Sequence, residues 1–227
     1  MALQLRAGQN ATGSGTSTTP SATLAATPVQ GNLLVACVSA NSTTTTPVAN
    51  SYTSFKGQLV SSDTWDFFWK IAGASEPAAQ APCTLGTSRA WACVVAEFED
   101  TGGGTWTLLT DNSQISNGTN PTTPTLSPTS GKNALLVASY NSQAGQTYGT
   151  HEVNNDATGV AELGDVASGT STSTAMAYLV IASTTGTYAA DATRSATSNG
   201  VAGIAMFESV VAGSALRRYS MPLTGVG

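Results

Sequence analysis

Charged residues are the scarcest feature of this sequence. Only 9% of its 227 residues are charged, whereas charged residues make up about a quarter of an average soluble protein. Uncharged polar residues and glycine must then cover most of the surface, which suits β-sandwiches and extended assemblies better than a freely diffusing enzyme. The formal net charge is −5, and the one adjacent basic pair is Arg217–Arg218. We therefore expect no nucleic-acid partner, because nucleic-acid binding requires a basic surface.

Long apolar runs are also missing. No stretch approaches the roughly 18 to 20 residues that a membrane-spanning helix requires. The N-terminal residues, Met1 to Asn10, lack the uninterrupted apolar segment of a signal peptide. We therefore expect no membrane partner, and assembly in a cytoplasm. The hydrophobic share of 41% still supports a packed core.

Cysteine and histidine are too few to form the common catalytic or metal sites. Cys37, Cys83 and Cys93 lack metal-ligand spacing, and we expect them to be buried free thiols. His151 is the single histidine, and we expect it in a polar loop. Nucleophile-elbow and phosphate-loop motifs are missing, and the acidic residues match neither calcium loops nor glycosidase pairs. The sequence predicts a protein that is not an enzyme, with no catalytic residues, no metal and no cofactor.

The clearest positive feature is a repeated apolar segment. Gly31–Ser42 and Gly131–Ser142 both begin with Gly, run through Leu-Leu-Val-Ala and close on Asn-Ser. Further matches follow in the same order: Trp69–Ala72 with Leu179–Ala182, and Phe98–Glu99 with Phe207–Glu208. Short apolar runs between turn formers predict strands. We predict an all-β protein with two tandem antiparallel β-sandwich units, jelly-roll or immunoglobulin-like, related by internal duplication.

Glycine and polar segments suggest where the units begin and end. Thr101–Thr105 is glycine-rich and has the composition of a linker. We predict a first unit at residues 1–100, a linker at 101–105, a second unit at 106–211 and a C-terminal arm at 212–227. Residues 10–20 are rich in Gly, Ser and Thr, which predicts a flexible stretch.

The aromatic residues allow two interpretations. Trp65, Phe67 and Trp69 alternate along one segment, as residues on the buried face of a strand do. This pattern favours a structural core. In the alternative, aromatic residues among the long loops form a platform for a glycan, and the candidates are Trp106, Tyr140 and Tyr148. That arrangement would make the protein a carbohydrate- or receptor-binding module.

The C-terminal segment differs from the rest of the chain. It combines two of the eight basic residues with alternating apolar side chains. An exposed segment of this kind can dock as an added strand on a neighbouring subunit. We therefore predict a homo-oligomer in which the arm binds a partner through Leu216, Arg217, Arg218, Tyr219, Met221 and Leu223.

Several of these segments resemble structural proteins of tailed bacteriophages. They are the strand Gly31–Ala36, the strand Trp69–Ala72, the strand Val94–Glu99 and the tail Arg217–Tyr219. Proteins of that type are small β-sandwiches that decorate heads or form accessory parts of tails. The resemblance implies a virion component that is assembled in the bacterial host cytoplasm, with the major capsid protein or other virion proteins as partners. The expected function is capsid decoration and stabilisation, and the alternative is a binding module of a tail or fibre.

Overall fold

The structure, a computed structural model, describes residues 2–42, 48–60, 63–154 and 156–211. Within these ranges the chain forms strands and loops without helix, so the all-β prediction is confirmed. The strands of the first half are β1 (Leu3–Ser17), β2 (Ala22–Thr23), β3 (Leu33–Ala40), β4 (Val48–Ala49), β5 (Thr53–Val60), β6 (Asp63–Ile71), β7 (Ala79–Gln80), β8 (Cys83–Thr84) and β9 (Arg89–Asp100). Those of the second half are β10 (Thr105–Ile115), β11 (Ala134–Ser142), β12 (Tyr148–Val153), β13 (Ala161–Ser168), β14 (Thr172–Ile181), β15 (Ala190–Arg194) and β16 (Val201–Val210).

Each half builds one five-stranded antiparallel sheet. The first sheet has the order β1-β9-β3-β6-β5, and the second has the order β10-β16-β11-β14-β13. In both halves the first strand lies at one edge, the last strand lies beside it, and the repeated apolar segment forms the central strand. The two sheets therefore have the same topology.

The two sheets also share their register. Leu33 of β3 lies opposite Phe98 in the first sheet, and Leu135 of β11 lies opposite Phe207 in the second. The edge strands β5 and β13 each carry a register shift opposite the same part of the neighbouring strand. Such β-bulges are specific to a strand pair. Their shared position is further evidence that the two sheets correspond strand by strand.

A glycine precedes the central strand in each half. Gly31 and Gly131 have φ values of 91° and 77°, a conformation that side chains with a Cβ rarely adopt. The N–H of Gly31 donates to the carbonyl of Ala72 at 2.9 Å, and that of Gly131 donates to the carbonyl of Thr184 at 2.8 Å. The repeated Gly therefore fixes the turn that leads into each buried strand.

The two sheets pack face to face around a common core. Members of this core come from both halves and include Leu33, Val35, Phe67, Leu135, Val137 and Met176. β1 packs against β13, and β5 packs against β10. The first-strand edge of each sheet thus lies over the opposite, non-equivalent edge of the other sheet, and an approximate two-fold axis runs between the sheets along the strands.

Two aromatic contacts show this symmetry directly. Trp69 meets Phe207 with ring centroids 5.7 Å apart, and Phe98 meets Tyr178 at 5.3 Å, both in edge-to-face geometry. Phe98 and Phe207 occupy equivalent positions in the two sheets, as do Trp69 and Tyr178. Edge-to-face packing is the favoured arrangement for aromatic rings. The prediction that Trp65, Phe67 and Trp69 share a core-facing side of one strand is confirmed.

Each half also has its own smaller core on the outer face of its sheet. The short strands β2, β4, β7 and β8 cover the first sheet, and β12 and β15 cover the second. The expectation of two tandem sandwiches therefore needs correction. Two five-stranded sheets form a single sandwich, because the inner face of each sheet is apolar and is buried against the other half.

The predicted flexible stretch at residues 10–20 is wrong over most of its length. β1 continues to Ser17 and pairs with β9 throughout its second part. Its glycines allow close packing: a Cβ on Gly13 would lie 2.0 Å from the carbonyl oxygen of Ser21, and one on Gly15 would lie 3.2 Å from the Trp91 ring. Here glycine permits close approach between neighbouring segments, whereas composition alone suggested mobility.

The glycine-rich connection between the halves is a tight turn. The Asp100 carboxylate accepts hydrogen bonds from the N–H of Gly102 at 2.8 Å and of Gly104 at 3.0 Å, and from the Ser209 hydroxyl at 2.7 Å. These bonds keep the pKa of Asp100 below its usual value despite the opposing effect of burial. The turn is therefore held to both sheets at the end of the sandwich where β9 and β16 end, which we call the turn end.

Candidate functional site

A chain of buried polar side chains crosses the interface between the sheets at the end opposite the turn end. Asn141 donates from Nδ2 to the Ser39 hydroxyl at 3.0 Å, and Ser39 lies 2.5 Å from the Thr172 hydroxyl. Thr172 donates to Oδ2 of Asp63 at 2.6 Å. Either hydroxyl of the Ser39–Thr172 pair can be the donor. The four residues form one hydrogen-bonded relay that ends on Asp63.

Burial dominates the electrostatics of this relay. Asp63 is 1% exposed, and desolvation raises its pKa to about 7, although the hydroxyls of Thr172 and Ser39 act in the opposite direction. Asp66, on the same strand, has its pKa raised to about 6 by burial, against hydrogen bonds from the Ser54 hydroxyl and the Phe67 N–H. Raised carboxyl pKa values are frequent at catalytic sites but also arise in structural networks.

Large side chains close this polar chain off from solvent. Trp65 and Cys37 are fully buried beside it, and a Cβ on Gly203 would lie 2.3 Å from the Trp65 ring. Cys37 contacts the Thr174 hydroxyl at 3.0 Å, and burial raises the pKa of its thiol to about 11. Because Asp63 is buried and Thr172 belongs to the other half, we interpret the relay as a bond between the two halves.

A second polar cluster lies on the outer face of the second sheet and is centred on His151. The imidazole stacks on Tyr140, with ring centroids 5.7 Å apart, and Tyr140 stacks on Tyr148 at 6.3 Å. His151 is 9% exposed. Neither of its ring nitrogens has a hydrogen-bond partner within the described ranges. Its position on β12 contradicts the prediction of a histidine in a polar loop, because the residues on either side form a strand that packs over the sheet.

A narrow cavity lies beside His151. Its walls are mostly apolar and include Leu136, Ala138, Tyr140, Val153 and Ala177. The space is too constricted for a water molecule, so a small molecule could not enter without moving β12. The cavity alone therefore does not define a ligand site.

Acidic side chains surround the exposed side of the His151 cluster. Nε2 of His151 lies 3.9 Å from Oε2 of Glu162, and Asp165 accepts the Tyr148 N–H at 2.9 Å. Glu152 lies directly opposite Asp191 in the β12–β15 pair, an arrangement that like charges disfavour. Burial and the adjacent carboxylates raise the pKa of Glu162 and of Asp191. Glu152, Glu162, Asp165 and Asp191 are called the acidic face below.

His151 remains neutral in these surroundings. Burial lowers its pKa, and this effect exceeds the opposing effect of the Asp165 charge. Its Nε2 lies beyond hydrogen-bonding distance of Glu162. The imidazole is therefore an uncharged, mostly buried member of an otherwise acidic cluster.

The residues proposed for the glycan-binding alternative are not available at the surface. Tyr140 is completely buried, Tyr148 is 7% exposed and Trp106 is 4% exposed. Within the described ranges every aromatic side chain is buried or half-buried. A stacking platform needs an exposed ring, so the structure removes the sequence-based argument for these three residues. They pack inward because each belongs to a strand or lies against one.

The predicted partner-binding residues of the arm, Leu216 to Leu223, lie outside the described residues. The three thiols behave as expected: Cys37, Cys83 and Cys93 are free and buried. In the described part of the chain, three or more metal-binding side chains do not come together in any group. None of its segments forms a helix long and apolar enough to cross a membrane.

Comparison with known proteins gave no match: neither a protein-family model, nor a curated protein, nor a solved structure corresponds to this chain. The likeness to phage structural proteins therefore remains an interpretation of sequence pattern. The geometry described above is the basis for inferring the function of this chain.

Sequence reasoning missed both polar clusters. Asp63 and Thr172 occupy equivalent positions, since each begins the strand that pairs with the central strand of its sheet. The internal match Phe98–Glu99 with Phe207–Glu208, extended backwards without gaps, would have aligned them. Their contact could not be inferred, because the sequence does not reveal that equivalent strands meet across an axis. The His151 cluster had no signal beyond the local density of acidic residues.

Proposed function

We propose that this protein is a structural component of a tailed-phage virion and that it decorates and stabilises the capsid by bridging neighbouring subunits. Its partners are the major capsid protein or other virion proteins, and it is present as a homo-oligomer in the virion after assembly in the host cytoplasm. It acts by adhesion and has no catalytic role. The sequence resemblance suggested this class of protein, and the distribution of exposed apolar residues supports a bridging role.

The observation that carries the proposal is an accumulation of apolar side chains at the turn end. In the described ranges seven large hydrophobic side chains are exposed. Five of them lie at or beside the turn end: Val29, Ile71, Val180, Val210 and Val211. Contiguous exposed apolar patches mark interaction sites, and we infer that these five side chains contribute to one interaction surface. The chain also continues from this end into residues 212–227, so the arm and the apolar residues can act together.

The shared core supports a mechanical role. The two halves bury their largest apolar faces against each other and are further joined by the Asp63–Thr172 relay and by the Asp100–Ser209 hydrogen bond. Native apolar burial contributes about 25 cal/mol for each Å² removed from water. A sandwich joined in this way behaves as one rigid body and can transmit load between the proteins that it connects.

We also propose that the halves arose by internal duplication. Their common strand order, their matching register and the symmetry-related aromatic contacts support this origin. An isologous dimer of one sheet unit has the same two-fold arrangement. Fusion of two such units through a short turn would produce the present chain.

Purified virions provide the test. Mass spectrometry should detect the protein in many copies, and cryo-electron microscopy should locate it between capsid subunits. Virions that lack the protein should release their DNA at a lower temperature than complete virions. Absence of the protein from purified particles would show that the proposal is wrong.

A further inference from the structure

The two halves differ in how their charges are balanced. The first half, through Asp100, has four basic and six acidic residues, and the second half, up to Val211, has two basic and seven acidic residues. Both basic side chains of the second half are already engaged. Lys132 bridges to Glu208 at 2.8 Å, and the buried Arg194 donates to the carbonyl oxygens of Ser198 and Ser116.

The acidic face therefore has no basic partner in the described part of the chain. The lysine and arginine ion pairs of the described residues involve carboxylates outside the acidic face. The nearest nitrogen to the face is that of neutral His151, 3.9 Å from Glu162. Carboxylates that raise one another's pKa are repelling one another. A cation placed between Glu152 and Asp191, or beside Glu162, would relieve that repulsion.

His151 provides an independent indication that the surface receives a polar ligand. The ring is 9% exposed, yet both nitrogens lack a hydrogen-bond partner in the described ranges, and Nε2 points towards Glu162. An unpaired buried polar group is destabilising. A polar ligand group bound at Glu162, 3.9 Å from Nε2, would lie beside these unpaired nitrogens.

A metal ion does not suit the site. In the described ranges its carboxylates and His151 do not converge into a group of three that could hold one cation. Spread-out carboxylates match instead the width of guanidinium groups, which bind carboxylates through two parallel hydrogen bonds.

We propose that the acidic face binds the basic C-terminal arm of a second copy of this chain, with Arg217 and Arg218 pairing with Glu152, Glu162 and Asp191. The arm contains the one pair of adjacent basic residues in a chain of net charge −5. Residues 212–227 could extend roughly 50 Å, which is enough to reach a neighbouring molecule. That the arm comes from a second copy rests on the proposed function as a multi-copy assembly protein.

Charge exchange between full-length variants tests the contact. One variant reverses the arm (Arg217→Glu with Arg218→Glu), and the other reverses the face (Glu162→Lys with Asp191→Lys). Each variant alone places like charges together, so we expect self-association to weaken at least about tenfold relative to the unaltered protein. An equimolar mixture should regain association, because each arm then meets an oppositely charged face. Analytical ultracentrifugation at low and high salt measures all four samples.

A single variant serves as the control for a general effect of charge. Arg89 is exposed on the first half, at the end of β9 away from the turn end, so Arg89→Glu should leave association unchanged. Circular dichroism and thermal melting verify that every variant is folded. An unaltered protein that is monomeric, or a mixture that does not associate, would overturn the proposed contact. Virion mass spectrometry tests the proposed function separately, so the two failures can be told apart.

Discussion

The two halves have the same strands in the same order, but their side chains differ at the places where equivalent positions meet. Asp63 of the first half contacts its counterpart Thr172, and Ser39 contacts its counterpart Asn141. Two identical carboxylates could not both remain charged in this position. The comparison teaches that strand order tolerates wide changes in side chains, whereas a buried carboxylate on the axis requires a different residue at the equivalent position of the other half.

The outer faces differ in a second way. Buried charge in the first half is compensated: Glu97 is fully buried and accepts from Arg6 at 2.9 Å, from the Val29 N–H at 2.8 Å and from Asn32 at 2.6 Å. In the described part of the second half, Glu152, Glu162, Asp165 and Asp191 around His151 form no ion pair with Lys or Arg. On the outer face of the first half, the buried carboxylate is neutralised by a partner within the chain. The acidic face of the second half is suited to a basic partner.

Placing identical carboxylates at the two equivalent positions on the axis should cause the largest loss of stability. Thr172→Asp places a second carboxylate against Asp63, and we expect a loss of about 3–5 kcal/mol in the free energy of unfolding at pH 8. Paired buried carboxyls have raised pKa values, so the lost stability should return as the pH falls and the pair becomes protonated. Urea unfolding at pH 8 and pH 5 measures this. Thr172→Asn is the neutral control, and equal stability of the two variants at pH 8 would contradict the explanation.

The second largest effect should be the loss of stability when Asp63 ionises. Its folded-state pKa of about 7 is above the ordinary value of 3.8, so its contribution is fully present below pH 3.8 and is lost as the pH rises to 7. At about 1.4 kcal/mol per pKa unit, the loss is on the order of 4 kcal/mol. Asp63→Asn should therefore be more stable than the unaltered protein at pH 8 and similar to it at pH 4. Parallel pH profiles for the two proteins would exclude this assignment.

Removing the two structural glutamates should distinguish the halves. Glu97→Ala leaves Arg6 and two other donors without their acceptor, and we expect it to cost about 3 kcal/mol. Glu208→Ala breaks a more exposed pair with Lys132, for which the cost should be below about 1 kcal/mol. Chemical denaturation measures both, and similar costs would show that the charge networks of the two halves are equivalent after all.

An effect smaller than that of Glu97→Ala should come from the contact between Trp65 and Gly203. A Cβ at Gly203 would overlap the Trp65 ring, so Gly203→Ala should cost about 1–3 kcal/mol through overpacking. Trp65→Leu creates space, and the double variant should therefore lose less stability than the sum of the single variants. Strict additivity would mean that the two residues do not interact.

The sequence predicted the strands better than their arrangement. The repeated central strand, the core-facing side of β6 and the buried thiols were inferred correctly, because alternation and apolar runs report local burial. The match of Trp69–Ala72 with Leu179–Ala182 was one residue out of register, since Trp69 and Tyr178 occupy the equivalent positions. Residues 10–17 were predicted to be flexible because their composition lacks large apolar side chains. Their glycines are required for close packing against Ser21 and Trp91, and that requirement becomes visible only when the neighbouring segments are in place.

The sequence by itself determined that the protein is all-β, that its charge is low and that its two halves resemble each other. These properties follow from composition and local periodicity, which act over a few residues. Only the tertiary structure decided that the halves close into one sandwich, that Asp63 lies against Thr172 and that His151 is buried within an acidic face. Each of these contacts joins residues far apart in the chain, and their energies depend on desolvation by segments that the local sequence does not specify.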